Sequence, residues 1–176
     1  MRRLRYNVAM SLDGFIAGPA GEYDWIVRDR SVDFGALYRQ FDTVLMGRGT
    51  FELVLRQGNG GRMPGMDVIV VSSTLRPSEY PGVQIVATDL AAYIGELKSR
   101  PGKDIWLFGG GALFRSLVDA RVVDAVELAV MPVLLGAGIP VLPPGGAVSD
   151  LKLTDSRSLP SGIVRLTYSL ERGTQR

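Results

Sequence analysis

The chain has 176 residues, of which 46% are hydrophobic and 22% charged, and its formal net charge is +2. These values are typical of one globular domain, and the longest basic run, at residues 2–5, gives little support for nucleic-acid binding. The chain has no cysteine and no histidine, which excludes disulfides, thiolate catalysis and a histidine general base. Proton transfer would therefore need an acid, a tyrosine, a lysine or water.

The sequence predicts neither a signal peptide nor a membrane-spanning helix. The first residues lack the apolar stretch of a signal peptide. Residues 128–149 carry no charge, but they include Pro132, Pro140, Pro143 and Pro144, so a continuous lipid-exposed helix is not expected there. We expect a soluble cytoplasmic protein without nucleic-acid or membrane partners.

The first half of the chain alternates short apolar runs with helical patterns. Ser31 is a suitable N-cap for a helix, because apolar residues recur at positions 34, 37, 38 and 41. The predicted elements are, in order, a strand at 4–10, a loop at 11–25, that helix, a buried strand at 43–46, a helix at 50–56 and a glycine-rich loop at 57–66.

The second half continues this alternation and then changes to a hairpin. The predicted elements are strands at 68–71 and 83–86, a helix capped by Thr88 or Asp89, a strand at 105–108, a helix at 112–118, a strand at 126–130, and a hairpin of 152–158 with 163–170. The pattern predicts a single α/β domain over residues 1–176, with helices on both faces of the sheet and an antiparallel C-terminal hairpin.

Twice an apolar run ends in a small-residue turn before a helix, at Gly47-Arg48-Gly49-Thr50 and at Gly109-Gly110-Gly111. Free backbone N–H groups and the positive end of a helix dipole make such a turn an anion site. Neither turn matches the Rossmann or P-loop fingerprint. A tight turn, a Thr50 helix cap and a surface Arg48 would explain them structurally. Two such turns in one small domain suggest an extended phosphate ligand, such as a dinucleotide.

The end of the third predicted strand carries hydroxyls where many NAD sites carry an acid. Ser72, Ser73 and Thr74 follow the apolar run, and Arg76 lies just beyond them. These groups suit the 2′-phosphate of NADP better than the ribose hydroxyls of NAD. An ordinary polar turn before Pro77 is the alternative.

The glycine-containing loop at residues 11–18 has the mixture of flexible and apolar residues expected of a lid over a reacting ring. Asp33 is the first candidate for a proton donor, although a carboxylate in the first turn of a helix is stabilised by the dipole in any case. Asp13 and Asp24 are typical of loop turns, and Tyr38 falls on the apolar face of the helix, where a core residue is expected. Glu127 is a further candidate acid. Glu127 lies in an apolar strand, so it is either at an exposed edge or a buried acid.

Four segments, at 8–18, 44–50, 68–73 and 105–111, resemble in order the dihydrofolate reductase-like superfamily, and the segment at 132–138 also resembles one branch of it. The resemblance is closest to the branch that contains the reductase domain of bacterial riboflavin biosynthesis, and it spans nearly the whole chain. Each segment alone is weak, whereas the ordered set is fairly specific. The resemblance implies a central mixed sheet, an NADPH-dependent reductase and a homodimer.

The resemblance also implies a role for each matching position. Ala9, Ile16 and Ala17 would line the nicotinamide pocket. Gly47, Arg48, Gly49 and Thr50 would hold the diphosphate and the adenosine phosphate side. Ser72 and Ser73 would contact the 2′-phosphate, and Gly110, Gly111, Ala112 and Leu113 would contact the diphosphate. A cis peptide is expected between Gly109 and Gly110.

Two departures from the family leave the substrate open. The helix that carries an acid facing the pterin in dihydrofolate reductases offers Asp33 at a shifted spacing, with Ser31 at the aligned position. The deaminase segment of the riboflavin enzymes is absent from this sequence. We expect NADPH-dependent hydride transfer to a pyrimidine- or pterin-like ring, with Asp33 or water as proton source. The alternatives are an NADP(H)-binding sensor or interaction protein without robust catalysis, a dihydrofolate reductase, and a structural protein without a nucleotide site.

Overall fold

The computed structural model describes residues 1–58, 60–87 and 89–170, which form ten strands and four α-helices. The strands are β1 (Leu4–Ser11), β2 (Phe15–Ala17), β3 (Phe41–Gly47), β4 (Asp67–Val71), β5 (Val83–Val86), β6 (Asp104–Gly109), β7 (Ala125–Met131), β8 (Ile139–Pro140), β9 (Leu151–Ser158) and β10 (Val164–Leu170). The helices are α1 (Phe34–Tyr38), α2 (Arg48–Arg56), α3 (Leu90–Ser99) and α4 (Gly111–Asp119). A short 3-10 turn forms at Pro77–Glu79.

Eight of these strands form one sheet in the order β5-β4-β3-β6-β1-β7-β10-β9. The six strands from β5 to β7 are parallel, and β10 runs antiparallel to both β7 and β9. This is the predicted mostly parallel sheet with an antiparallel C-terminal hairpin. The small β2–β8 pair lies outside this sheet, and the sequence pattern predicted neither of its strands.

Helices cover both faces of the sheet, which explains the continuous apolar runs of the central strands. Leu45 and Leu107 belong to the core on the face covered by α3 and α4, here called the α3–α4 face. Val44 and Trp106, each adjacent in sequence to one of these leucines, pack with α2 residues on the opposite side, the α1–α2 face. Successive strand residues point to opposite faces, so both sides of β3 and β6 are buried.

The cap of the first helix differs from the prediction. Asp33, and not Ser31, is the N-cap of α1, and its Oδ1 accepts from the Ala36 amide at 2.8 Å. The Ser31 hydroxyl donates instead to Asp29 at 2.6 Å. The helix has only five residues, because Phe41 leaves the helical pattern and begins β3 as a buried residue.

The other helix starts follow the predictions more closely. Asp89 caps α3 by accepting from the amides of Ala91 and Ala92, while Thr88 lies outside the described residues. Gly47 is the N-cap of α2, so Thr50 lies inside the helix and does not cap it. At ten residues, α3 is the longest helix in the described part of the chain, well short of the roughly 20 residues that cross a bilayer.

Candidate functional site

A cleft of about 1050 Å³ lies between the carboxyl ends of the central strands and the α1–α2 face. Its lining comes from β1, β2 and the loop after it, α1, α2, the start of α4, and the strands β6, β7 and β10. A second depression, of about 620 Å³, is lined by residues near the amino ends of β3 and β4, including Arg2 and Asp42. None of the predicted site residues lines this second depression, so the first is the candidate site.

The two glycine turns lie side by side in the cleft, because β3 and β6 are neighbouring parallel strands. A Cβ built on Gly110 would lie 3.4 Å from Thr50 Oγ1, and one built on Gly47 would lie 3.7 Å from the Leu113 Cβ. The starts of α2 and α4, which are far apart in the sequence, are therefore close to each other in the fold.

Both of these helix starts lack a side-chain cap. Gly47 is the N-cap of α2 and Gly110 is the N-cap of α4, and neither position supplies a capping hydrogen bond. In contrast, Asp33 caps α1 and Asp89 caps α3, the two helices that do not begin at a glycine turn. The first N–H groups of a helix have no partner within the helix. The cleft is therefore lined by two positive helix ends with amides available to a ligand.

The protein's own geometry requires a glycine at two of the three positions of the second turn. Gly109 has φ of 142°, a conformation that side chains disfavour, and its peptide bond to Gly110 is cis, as the resemblance implies. A Cβ on Gly111 would lie 2.5 Å from the Pro140 carbonyl oxygen. The structural explanation thus holds for Gly109 and Gly111. Gly49 in the first turn has nothing within 4 Å of a built Cβ, so protein packing does not require a glycine there.

Arg48 reaches from α2 to the turn after β4. Its Nη1 donates to Thr74 Oγ1 at 3.3 Å, and its Nε lies 3.6 Å from Glu52 Oε1. Ser72 is buried, and its hydroxyl oxygen accepts from the amides of Thr74 and Leu75 at 3.2 and 3.1 Å. Ser73 is exposed. The Ser72 hydroxyl therefore closes the polar turn, and Arg48 and Ser73 have the freer polar groups at this end.

The cleft brings together all of the predicted cofactor residues except Ser72 and Ser73, including Ala9, Ile16, Ala17, Gly111 and Ala112. Asp33 is not among the lining residues. Its side chain is 68% exposed, and besides capping α1 it lies 3.7 Å from Arg39. The structure thus assembles the predicted cofactor region but places the predicted proton donor outside the lining.

Glu127 lies in the floor of the cleft and is buried, one of the two alternatives that the sequence left open. Its Oε1 accepts from Arg5 Nε at 2.6 Å, and its Oε2 accepts from Arg5 Nη2 at 2.9 Å and from Asn7 Nδ2 at 2.6 Å. Burial works against the charge of Arg5, but hydrogen bonds with Glu127 and Asp104 outweigh it and raise the Arg5 pKa. Both Glu127 oxygens are occupied, so the group acts as a fixed hydrogen-bond acceptor.

An aromatic wall stands above this floor. The rings of Tyr38 and Trp106 have centroids 5.5 Å apart at 31°, and Phe34 lies beside Tyr38 at 6.3 Å. Trp106 Nε1 donates to the Asn7 carbonyl at 2.9 Å, which fixes its ring over β1. Phe34 and Tyr38 are 48% and 45% exposed, whereas Trp106 is buried, so Phe34 and Tyr38 supply most of the accessible aromatic surface of this wall. The helical period predicted Tyr38 to be a core residue, but it is the last residue of α1 and is 45% exposed.

Two carboxylates fix the loops on either side of β2, of which only the β2–α1 loop lines the cleft. Sequence reasoning had not singled out the second carboxylate, Asp29. Asp13 accepts from Ser11 Oγ at 2.6 Å and from the Gly136 amide at 2.7 Å, which joins the β1–β2 loop to the segment before β8. Asp29 accepts from the Ser31 and Ser161 amides at 2.8 and 3.1 Å, which joins the β2–α1 loop to the β9–β10 turn. Hydrogen bonds from Ser161 and Ser31 hold the pKa of Asp29 well below its usual range.

Comparisons with known proteins agree with this architecture. A family model described as the RibD C-terminal domain matches residues 2–165. The uncharacterized protein YyaP of Bacillus subtilis (strain 168) is 31% identical over 178 residues, covering 95% of this chain and 94% of YyaP.

Among solved structures, a putative riboflavin biosynthesis protein from Shewanella sp. PV-4 has a TM-score of 0.83 at 27% identity, covering 98% of this chain and all of that one. Dihydrofolate reductase from Enterococcus faecalis, solved in complex with NADP(H), has a TM-score of 0.68 at 18% identity and covers 97% of each chain. The fold is therefore dihydrofolate reductase-like.

Proposed function

The chain belongs to the family of the RibD C-terminal domain, and from this premise we propose that it is a reductase that transfers a hydride from NADPH to a small planar heterocycle. The observation that supports this most is the pair of uncapped glycine helix starts in one cleft. Two adjacent positive helix ends with free amides suit the two phosphates of a dinucleotide diphosphate.

The residues present fit a bound NADPH. Thr50 and the amides of the α2 and α4 starts would hold the diphosphate, and the open space beside Gly49 admits close approach. Arg48 and the exposed Ser73 would bind the 2′-phosphate. Ala9, Ile16 and Ala17 would line the nicotinamide end. When bound, the cofactor supplies the hydride, and the protein supplies orientation and electrostatics.

The chain's own groups prepare the substrate end. The exposed rings of Phe34 and Tyr38 would give a planar substrate a stacking surface, and the Asn7 amide, held by Glu127, also lines the cleft. The β2–α1 loop, held by Asp29, lines the same cleft and would limit the access of water to it. Since Asp33 lies outside the lining and both Glu127 oxygens are occupied, we assign the proton to water.

Measuring Tm in the presence of NADPH, NADH or FMN tests which cofactor the protein binds. At a hundredfold excess over its Kd, a ligand stabilises the folded protein by about 2.7 kcal/mol, which for this size raises Tm by roughly 5–11 °C. We expect the largest shift with NADPH. A larger shift with NADH would contradict the roles of Arg48 and Ser73, and no shift with either nucleotide would contradict the site.

A turnover assay distinguishes the proposed reductase from the alternative functions. NADPH oxidation, followed by absorbance with pyrimidinediones, pterins, dihydrofolate and small carbonyls, should proceed with at least one planar ring. Binding without oxidation across the panel would favour an NADP(H)-binding sensor, and oxidation with dihydrofolate alone would favour a dihydrofolate reductase. The homodimer implied by the resemblance remains a prediction, which sedimentation equilibrium tests.

A further inference from the structure

A third cluster of apolar side chains is distinct from the two cores that cover the faces of the sheet. Its buried members are Met131, at the end of β7, and Leu159 and Ile163, in the turn between β9 and β10. Ile26 and Val32, from the β2–α1 loop, pack against them. All five side chains belong to residues that line the cleft. The cluster therefore forms one end of the cleft, here called the apolar end.

The apolar end begins close to the place expected for the nicotinamide. Ala9 pairs directly with Ala129 across β1 and β7, and Met131 follows Ala129 by two residues, so it lies on the same face of the sheet. Two residues of a strand span about 6.7 Å. Both alanines pack against the cluster, and each carries only a methyl group. A ring held beside Ala9 thus has the apolar end within reach of a short substituent.

The wall of the apolar end that comes from the β2–α1 loop is fixed by Asp29. This carboxylate is buried, and its Oδ1 accepts from the amide and the hydroxyl of Ser31 at 2.8 and 2.6 Å. Its Oδ2 accepts from the Ser161 amide in the β9–β10 turn at 3.1 Å. Asp29 therefore fastens the loop to the turn that carries the buried cluster, and protein donors occupy both of its oxygens. A wall held in this way is preformed, which lowers the entropy cost of filling the space beside it.

Apolar surface remains exposed next to this end. Val27 follows Ile26 in the loop, lines the cleft and is 38% exposed. The nearest charged side chain along β10 is that of Arg165, which lies two residues from Ile163 and pairs with Ala129. Its charge therefore borders the apolar end from the row of Ala129, and the cluster itself is made of hydrocarbon and thioether groups.

We propose that the apolar end is a subsite for an uncharged, apolar substituent of the substrate, such as a short alkyl chain or a phenyl ring. The inference rests on the proposed reductase function and narrows its substrate class to planar heterocycles that carry such a group. The substituent removes from water its own surface and the exposed part of Val27. Because this attraction is non-directional, affinity should follow the number of buried carbons, at roughly fourfold for each methylene group.

Isothermal titration with two series of probes tests the subsite, both with and without saturating NADP⁺. Each series has one ring, uracil or pterin, which carries hydrogen, hydroxymethyl or propyl on carbon 6. In at least one series we expect the propyl form to bind at least about tenfold more tightly than the parent ring, and the hydroxymethyl form less than about threefold more tightly. This propyl advantage should not change between about 50 and 500 mM NaCl, and propyl binding should show the more negative heat-capacity change.

Three results of this titration would overturn the proposal. They are a propyl advantage below about threefold in both series, a hydroxymethyl form that binds as tightly as the propyl form, and no binding of any probe. An advantage that disappears at high salt would likewise assign the effect to charge and not to the apolar end.

Variants locate the effect. Val27→Thr combined with Val32→Thr replaces two methyl groups of the wall by hydroxyls of similar size, and should lower the propyl advantage at least about threefold. The affinity for the parent ring and the NADPH-induced Tm shift should stay unchanged. Val148→Thr is the matched control, because Val148 is 75% exposed and lies outside the cleft lining. An undiminished advantage in the double variant would overturn the assignment. Failure of NADPH to bind or react, with the advantage present and sensitive to the double variant, would count against the reductase function alone.

Discussion

Two glycines of the cleft are expected to respond in opposite directions to replacement by alanine. In Gly111→Ala the new Cβ would lie 2.5 Å from the Pro140 carbonyl oxygen and 3.0 Å from Pro143 Cδ. The start of α4 must then move away from this segment, at a cost of about 1–3 kcal/mol. For a domain of this size, that lowers Tm by roughly 2–12 °C. In Gly49→Ala nothing lies within 4 Å of the new methyl group, and the residue is inside α2.

The better helix propensity of alanine should stabilise Gly49→Ala by about 0.5–1 kcal/mol, or roughly 1–4 °C in Tm. The same methyl group would occupy space that we assign to the diphosphate, so the affinity for NADPH should fall at least about tenfold, or 1.4 kcal/mol. Differential scanning fluorimetry gives Tm, and fluorescence titration of NADPH gives Kd. A Gly49→Ala variant that binds NADPH as tightly as the parent would refute the backbone contact, and a stabilised Gly111→Ala would refute the packing argument.

The remaining predictions concern charged groups. Glu127→Ala leaves the Arg5 guanidinium buried without its main partner, so urea denaturation should show a loss of about 3–5 kcal/mol, and Glu127→Gln a smaller one. Arg48→Ala should weaken NADPH binding by about 1–3 kcal/mol in the same titration, and an unchanged Kd would remove Arg48 from the phosphate site. Because the pKa of Asp29 is lower in the folded state, its contribution to stability is present above the unfolded pKa of about 3.9 and is lost as pH falls toward the folded value. Asp29→Asn should therefore show a flatter dependence of Tm on pH below about pH 5, and an unaltered profile would contradict this role.

Sequence patterns predicted elements well where the signal was local. The apolar run at Val68 and its successors predicted a strand covered on both sides, and alternation predicted the hairpin of β9 and β10. The prediction of Ser31 as the cap of α1 was wrong, although Ser31 and Asp33 are both good capping residues. The choice depended on Asp29, which accepts a hydrogen bond from the Ser31 hydroxyl. Tyr38 was misplaced for a related reason, since the period does not reveal where a helix stops.

The sequence alone determined that two glycine turns precede helices and that the chain resembles the dihydrofolate reductase-like superfamily, because strand–turn–helix patterns involve neighbouring residues. Only the tertiary structure decided that β3 lies beside β6, which places Gly47 near Leu113 and Gly110 near Thr50. It also decided the register that aligns Ala9 with Arg165 across three strands. Periodicity indicates which face of a strand a side chain occupies, but strand order and register depend on how the whole sheet buries its two faces.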